Sequence, residues 1–175
     1  MVFAPLLFGV LLAVQVGDQA PDFSLPSQMG DSVTLSEYQG KKNVVLYFYP
    51  KDETTGCTKE ACAFRDSYDA FTALGAEVLG VSGQTVESHK GFASHHGLPF
   101  LLLADVDNKV RQLYGVPSNM GFIPGRVTYI IDKKGVVRHL FNSQIQPEKH
   151  VEEAKRVLEQ LNTEKNEAEI ARTKV

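Results

Sequence analysis

The chain has 175 residues, 43% of them hydrophobic and 22% charged, with a net charge of −3. That balance suits one water-soluble globular domain with room for a sizeable core, and it leaves no basic footprint for nucleic acid. Two cysteines are too few for a disulfide-built secreted scaffold, and neither a CxxC pair nor a Cys/His ligand set suggests structural zinc.

Residues 1–16 are almost wholly apolar, and no Lys or Arg precedes Lys41. A secretory signal would carry a basic n-region, and a membrane span needs about 20 apolar residues. Residues 1–15 are therefore expected to be a targeting or anchor remnant, a helix packed on the domain or on a neighbouring chain, or a foreign addition. The folded domain is expected over 16–162.

Alternation on either side of Gln28-Met29-Gly30-Asp31 predicts a β-hairpin from Asp22–Ser27 and Ser32–Ser36. Asn43–Tyr49 is a nearly continuous apolar, β-branched and aromatic run, expected as a central buried strand. Cys57, Ala61, Phe64, Tyr68, Phe71 and Leu74 fall at helical spacing, so one helix is predicted from Cys57 to a stop at Gly75. Ala76–Ser82 reads as a strand. Thr85–His96 reads as a helix with Thr85 as N-cap and Gly97 as stop. Phe100–Ala104 is a third core strand, and Asp107–Tyr114 a short helix ending at Gly115. Arg126–Ile131 and Val136–Asn142 flank the turn Asp132-Lys-Lys-Gly135 as a second hairpin. Pro147 suits the first turn of a last helix whose stripe is Val151, Ala154, Leu158 and Leu161. The polar residues 163–175 are expected to fray. Alternating elements of this order predict an α/β layered domain: a mixed central sheet flanked by helices, with an added N-terminal hairpin, compatible with a thioredoxin-like core.

The chemistry concentrates at Pro50-Lys-Asp-Glu-Thr54-Thr-Gly-Cys57. An apolar strand, then a Gly-Cys turn, then an amphipathic helix puts Cys57 at a helix N-terminus. Unpaired amides and the helix dipole favour an anion there, and the thiolate is the nucleophilic form of cysteine. Arg126 opens an apolar strand after Pro124-Gly125 and is a candidate cation for both thiolate and substrate oxygens. Pro50 stiffens the loop and removes a donor. The Thr54 hydroxyl both donates and accepts, which suits a substrate with two linked oxygens. Glu60, one turn after Cys57, either fixes the Arg126 guanidinium or is an ordinary solvated first-turn acid. Of the five histidines, His89, His95 and His96 are expected at the surface, although a metal site there is conceivable. Phe48, Tyr49, Phe92 and Phe122 are expected as core or pocket wall.

Pro50-x-x-x-Thr54-x-x-Cys57 resembles the peroxiredoxin active-site signature. Thr58-Lys-Glu60-Ala-Cys62-Ala-Phe-Arg-Asp66 resembles its PrxQ, or bacterioferritin-comigratory-protein, subfamily, most closely that of chloroplasts and cyanobacteria. The resemblance runs from about Val16 to Leu161 and includes Gly80-Val-Ser-Gly83, Leu98-Pro-Phe100, Pro124-Gly-Arg126-Val-Thr128 and Gln146-Pro-Glu-Lys-His150. It implies a thiol peroxidase acting on hydrogen peroxide and organic hydroperoxides. Cys57 would be the peroxidatic cysteine, Cys62 the resolving one, and Pro50, Thr54 and Arg126 the peroxide pocket, with Glu60 orienting the arginine. It also implies an intramolecular Cys57–Cys62 disulfide, recycling by thioredoxin or a similar dithiol, no metal or other cofactor, and a monomer or weak dimer. A plastid setting, thylakoid-associated or not, or a cyanobacterial one follows for location.

Five residues on a regular helix give roughly 140° of rotation and about 7.5 Å of rise. Disulfides need Cα atoms within about 7 Å. Cys57 and Cys62 therefore cannot bond while that helix is intact, and its first turns are expected to unwind in turnover. A CxxC-type disulfide oxidoreductase is disfavoured by the spacing. A holdase chaperone or redox-sensing adaptor is the remaining alternative.

Overall fold

The computed structural model describes residues 12–174, so the apolar run over 1–11 lies outside the described residues. β1 (Ser24–Pro26) and β2 (Ser32–Thr34) form the expected antiparallel hairpin, with Leu25 opposite Val33. A 3-10 turn over Leu35–Tyr38 leads to β3 (Asn43–Phe48), every residue of which is buried. α1 (Thr55–Asp66) and α2 (Tyr68–Ala73) precede β4 (Ala76–Ser82). α3 (Val86–His96), β5 (Leu101–Ala104) and α4 (Lys109–Tyr114) follow. A two-residue ribbon, β6 (Ser118–Asn119) with β7 (Ile123–Pro124), precedes β8 (Val127–Ile131), β9 (Val137–Asn142) and α5 (Pro147–Thr173).

The main sheet has the order β5-β4-β3-β8-β9, with β3, β4 and β5 parallel and β8 and β9 antiparallel to their neighbours. The period of two along β3 builds two cores. Val44, Leu46 and Phe48 face one layer with Val81, Tyr129, Val110 and Tyr114, covered by α4 and the N-terminal hairpin. Val45, Tyr47 and Tyr49 face the other with Phe64, Phe71, Phe92, Val151 and Leu158, from α1, α2, α3 and α5. The α/β, thioredoxin-like arrangement with helices on both faces is thus present, and β3 runs through its middle to deliver Pro50 and the loop before α1.

Several elements differ from the sequence reading. The helix expected from Cys57 to Gly75 starts at Thr55 and is broken at Ser67, whose φ of −103° and ψ of 3° leave the helical region. The apolar spacing continues across the break, with Phe64 and Phe71 rings 5.7 Å apart on the same layer, so periodicity could not reveal it. Residues 163–173 do not fray but continue α5. That stretch holds neither Gly nor Pro, is rich in helix formers, and gains ties such as Lys165–Glu169 and Arg138–Glu164. Val14 is buried in the first core, and its amide donates to the Tyr114 carbonyl at 3.0 Å. The packed chain therefore begins before the expected boundary at Val16. Phe122, expected as core or pocket wall, is 74% exposed on the β6–β7 turn. His89, expected at the surface, is fully buried, as is His150.

Candidate active site

Cys57 lies in the first turn of α1 and is 1% exposed. The helix N-terminus has no side-chain cap: Thr54 is at the N-cap position, but its hydroxyl donates back to the Lys51 carbonyl at 2.9 Å. The first amides of α1 are thus left to whatever enters beside the thiol. Gly56 has a steric reason to lack a side chain. A Cβ there would lie 3.0 Å from Arg126 Nη2.

Arg126 is 3% exposed and reaches the thiol from the start of β8. Its Nη2 donates to Cys57 Sγ at 3.4 Å, its Nη1 to Glu60 Oε2, and its Nε to the Gln144 carbonyl at 3.3 Å. Glu60 is fully buried, so the reading of it as a solvated first-turn acid is corrected. One helical turn brings Glu60 and Cys57 to the same face of α1, and both meet the one guanidinium. Burial pushes the Glu60 carboxyl up to about 8, against the pull of Arg126. Burial also lowers Arg126, but Glu60 and Cys57 together outweigh it and hold the guanidinium above its usual value.

His150 approaches Glu60 Oε1 at 3.7 Å, yet it supplies no charge. Burial, helped by Arg126, brings it down to about 4 despite its bond to Ser143. The neutral ring donates from Nε2 to the Ser143 carbonyl and accepts at Nδ1 from the Thr128 hydroxyl, each at 2.8 Å. Two groups able to carry negative charge, Cys57 and Glu60, therefore share a single cation in a buried pocket. Tyr47 lies against this layer with its hydroxyl buried and unpartnered, like Glu60 Oε1. Burial, Glu60 and Cys57 raise that phenol well above its ordinary value, so it stays protonated.

The loop carrying Pro50 and Thr54 is tied down from beneath. Asp52 is buried, and its carboxylate accepts from Tyr49 Oη at 2.6 Å, from His89 Nδ1 at 2.7 Å and from Ser88 Oγ at 2.7 Å. Burial raises the Asp52 carboxyl, but these donors outweigh it and hold it below the usual range. Arg111, also buried, donates to the Tyr49 carbonyl and the Gly125 carbonyl at 2.9 Å each. It thereby ties the residue before Pro50 to the residue before Arg126.

The structure brings Cys57, Glu60 and Arg126 into contact and leaves Thr54 on the exposed rim. Pro50 is half-buried at the end of β3. Cys62 is a free, partly buried thiol on the intact helix, not bonded to Cys57. Asp52, His89, Arg111 and His150 were not singled out as site residues from sequence. Asp52, His89 and Arg111 sit in stretches whose pattern reads as loop or amphipathic helix, with nothing local to mark them as supports of the pocket, and His150 closes the Gln146-Pro-Glu-Lys-His150 motif, to which no role was assigned.

Residues 16–140 match the AhpC/TSA family. The chain is 54% identical over 160 residues to peroxiredoxin Q, chloroplastic, of Sedum lineare, covering 90% of this chain and 86% of that protein. It is 55% identical over 154 residues to the Arabidopsis thaliana protein of the same name, covering 87% and 71%. Among solved structures it resembles peroxidoxin BcpB of Mycobacterium tuberculosis, with a TM-score of 0.77 and 35% identity over 82% of this chain and 96% of that one. It also resembles peroxiredoxin Q of Xanthomonas campestris, with a TM-score of 0.73 and 28% identity over 78% and 89%.

Proposed function

This chain belongs to the AhpC/TSA family and is a thiol-dependent peroxidase of the peroxiredoxin Q kind, and we propose that Cys57 is its peroxidatic cysteine, Cys62 its resolving cysteine, and Pro50, Thr54, Arg126 and Glu60 the groups that serve them. The observation that carries this reading is the Arg126 Nη2–Cys57 Sγ contact of 3.4 Å at the uncapped N-terminus of α1. A guanidinium contacts one buried sulfur in the first turn of a helix whose N-terminus has no side-chain cap, the two features that favour an anion there.

In the first step the Cys57 thiolate attacks one peroxide oxygen. The O–O bond breaks, sulfur is oxidised to sulfenic acid, and the other oxygen leaves as alkoxide or hydroxide and takes a proton. Arg126 and the α1 amides offset the charge moving onto the leaving oxygen. Thr54 already donates its hydroxyl hydrogen to the Lys51 carbonyl, so toward substrate it accepts, which suits the hydroperoxide O–H. Pro50, with no N–H, offers no competing donor to the thiolate.

In the second step the Cys62 thiol attacks the sulfenic sulfur, giving the Cys57–Cys62 disulfide and water. α1 must unwind locally for this, because both cysteines lie on one continuous helix. A dithiol of the thioredoxin kind then reduces the disulfide by exchange. Unwinding uncovers Ala61 and Phe64, both fully buried in the resting fold, as an apolar patch for that reductant. The intramolecular bridge makes a monomer sufficient for the cycle.

A coupled assay with NADPH, thioredoxin reductase, thioredoxin and hydrogen peroxide tests this. NADPH consumption is expected with the wild type and absent with Cys57→Ser. Peroxide-treated chain should remain a monomer and lose two hydrogens in mass. A disulfide-linked dimer would remove Cys62 from the scheme, and undiminished activity in Cys57→Ser would remove Cys57.

A further inference from the structure

Outside the thiol pocket, Glu53, His95 and His96 gather their side chains at one point on the surface. Glu53 Oε1 lies 3.0 Å from His95 Nδ1, and Oε2 lies 3.0 Å from His96 Nε2. The potential ligand atoms all fall within 4.8 Å of one another. His95 and His96 are adjacent in the last turn of α3, with ring centroids 4.3 Å apart. Glu53 comes from the loop before Cys57 and reaches them with a left-handed φ of 60°, unusual for a residue with a side chain.

We propose that Glu53, His95 and His96 form a binding site for a divalent transition-metal ion of the zinc class, and that the bound ion clamps the loop 50–54 to α3. Two imidazoles and one carboxylate are a donor set that zinc accepts, with a fourth position left for water. Zinc bonds of about 2.0–2.2 Å at tetrahedral angles put ligand atoms about 3.3 Å apart. The two 3.0 Å contacts use different Glu53 oxygens and the candidate ligand atoms lie within 4.8 Å of one another, so binding draws them in toward about 3.3 Å, and His95, 69% exposed on its side chain, has room to turn. The C-terminal end of α3 adds the partial negative charge of its carbonyls. The surface histidine pair thus has a third ligand that its sequence position, more than forty residues from Glu53, did not suggest.

The clamp has a mechanical consequence for α1. Glu53 is followed directly by Thr54 and the first turn of α1, and Arg65 in the last turn of α1 donates to the His96 carbonyl at 2.7 Å. An ion joining Glu53 to His95 and His96 therefore fastens the N-terminal approach of α1 to the element that already holds its C-terminal end. Local unwinding, and with it disulfide closure, is slowed. The binding site stands whatever the chemistry of Cys57; only its kinetic effect rests on the proposed peroxidase cycle.

The test uses the full untagged chain. Isothermal titration of Cys57→Ser/Cys62→Ser with Zn2+ removes the competing thiols and should give one ion per chain. Affinity should fall at least tenfold in Glu53→Gln and in His95→Ala, with circular dichroism unchanged. Absence of binding, or binding indifferent to both substitutions, overturns the site. With the native cysteines, saturating Zn2+ should slow disulfide formation at least threefold in the wild type and leave it unchanged in His95→Ala. Equal slowing in both would assign the effect to the thiols and overturn the clamp.

Discussion

If disulfide closure waits on unwinding of α1, then the rate of closure follows the helix stability of residues that touch nothing. Lys59 is such a residue: it lies between the two cysteines, is exposed, and makes no ion pair among the described residues. Lys59→Gly lowers helix propensity by roughly 0.7 kcal/mol. At about 1.4 kcal/mol per factor of ten, the unwound population rises about threefold. Thr58→Ala moves the other way by roughly 0.5 kcal/mol and should slow closure about twofold. An ideal helix sets Cα57 and Cα62 about 8.7 Å apart, some 2 Å beyond disulfide reach, so no side-chain rotation can substitute for unwinding. The chain has no Trp, so quenched-flow alkylation read by mass is the natural assay. It separates the sulfenic acid from the disulfide. The first step should be the same in all three proteins, because neither side chain hydrogen-bonds to Cys57 Sγ or Arg126. Closure rates that are equal across the set, or an oxidised chain still helical over 57–62, would refute unwinding as the gate.

Three further perturbations probe the pocket. Arg126→Met removes the donor to Cys57 and leaves Glu60 without its cation, and the second-order rate with peroxide should fall on the order of 10²-fold, as for loss of one preorganised donor. Glu60 should set a pH limit. As pH rises through about 8 its carboxyl ionises and draws Arg126 away from Cys57, so the wild-type peroxide rate should decline there, while Glu60→Gln stays level. The same group acts on stability: its folded value lies above its unfolded value of 4.5, so its contribution is full below 4.5 and is lost as pH rises to about 8. Denaturant midpoints should fall across that window in the wild type more than in Glu60→Gln. Asp52→Ala strips the partner from Tyr49, His89 and Ser88 and should destabilise the fold by about 3 kcal/mol or more, measured by urea titration at pH 7. Because Asp52 is held below its ordinary 3.8, the wild-type advantage should be present above that pH and fade as pH falls further.

The sheet strands and α3 were legible because their signals are local. β3 is apolar throughout, and Thr85 caps α3 with its own hydroxyl on the Ser88 amide while Gly97 ends it in the left-handed region. The bend at Ser67 was not, because the layer it serves selects the same apolar spacing on both sides. The continuation of α5 was missed because polarity was read as disorder, although helix propensity there is high. At the candidate site, the meeting of Cys57 with Arg126 was anticipated from residue pattern, whereas Thr54 lies on the exposed rim. The state of Glu60 was not, since burial depends on what α5 and β8 lay over it. Arg111 and Asp52 contact mainly backbone or distant side chains, and such pairings have no trace in a single sequence.

On the proposed cycle, the buried charges let one helix both activate and release the thiol. In the closed state Cys57, Glu60 and Arg126 form a set in which one cation faces two potential anions. With Glu60 protonated, the guanidinium is free to serve a Cys57 thiolate alone. Once Cys57 has become a sulfenic acid, that charge is gone, and Arg126 is left with a proton-bearing carboxyl and no anion. The favourable term that held the first turn of α1 against β8 is therefore weakest just when the turn has to leave. On that cycle, oxidation of Cys57 is expected to lower the barrier to unwinding through electrostatics, without a separate trigger. The consequence is measurable by hydrogen exchange. The amides of residues 61, 62 and 63 in Cys62→Ser should exchange faster after one equivalent of peroxide than before it, and no faster in Cys57→Ser. Equal protection before and after oxidation in Cys62→Ser would mean that charge loss at Cys57 does not loosen α1.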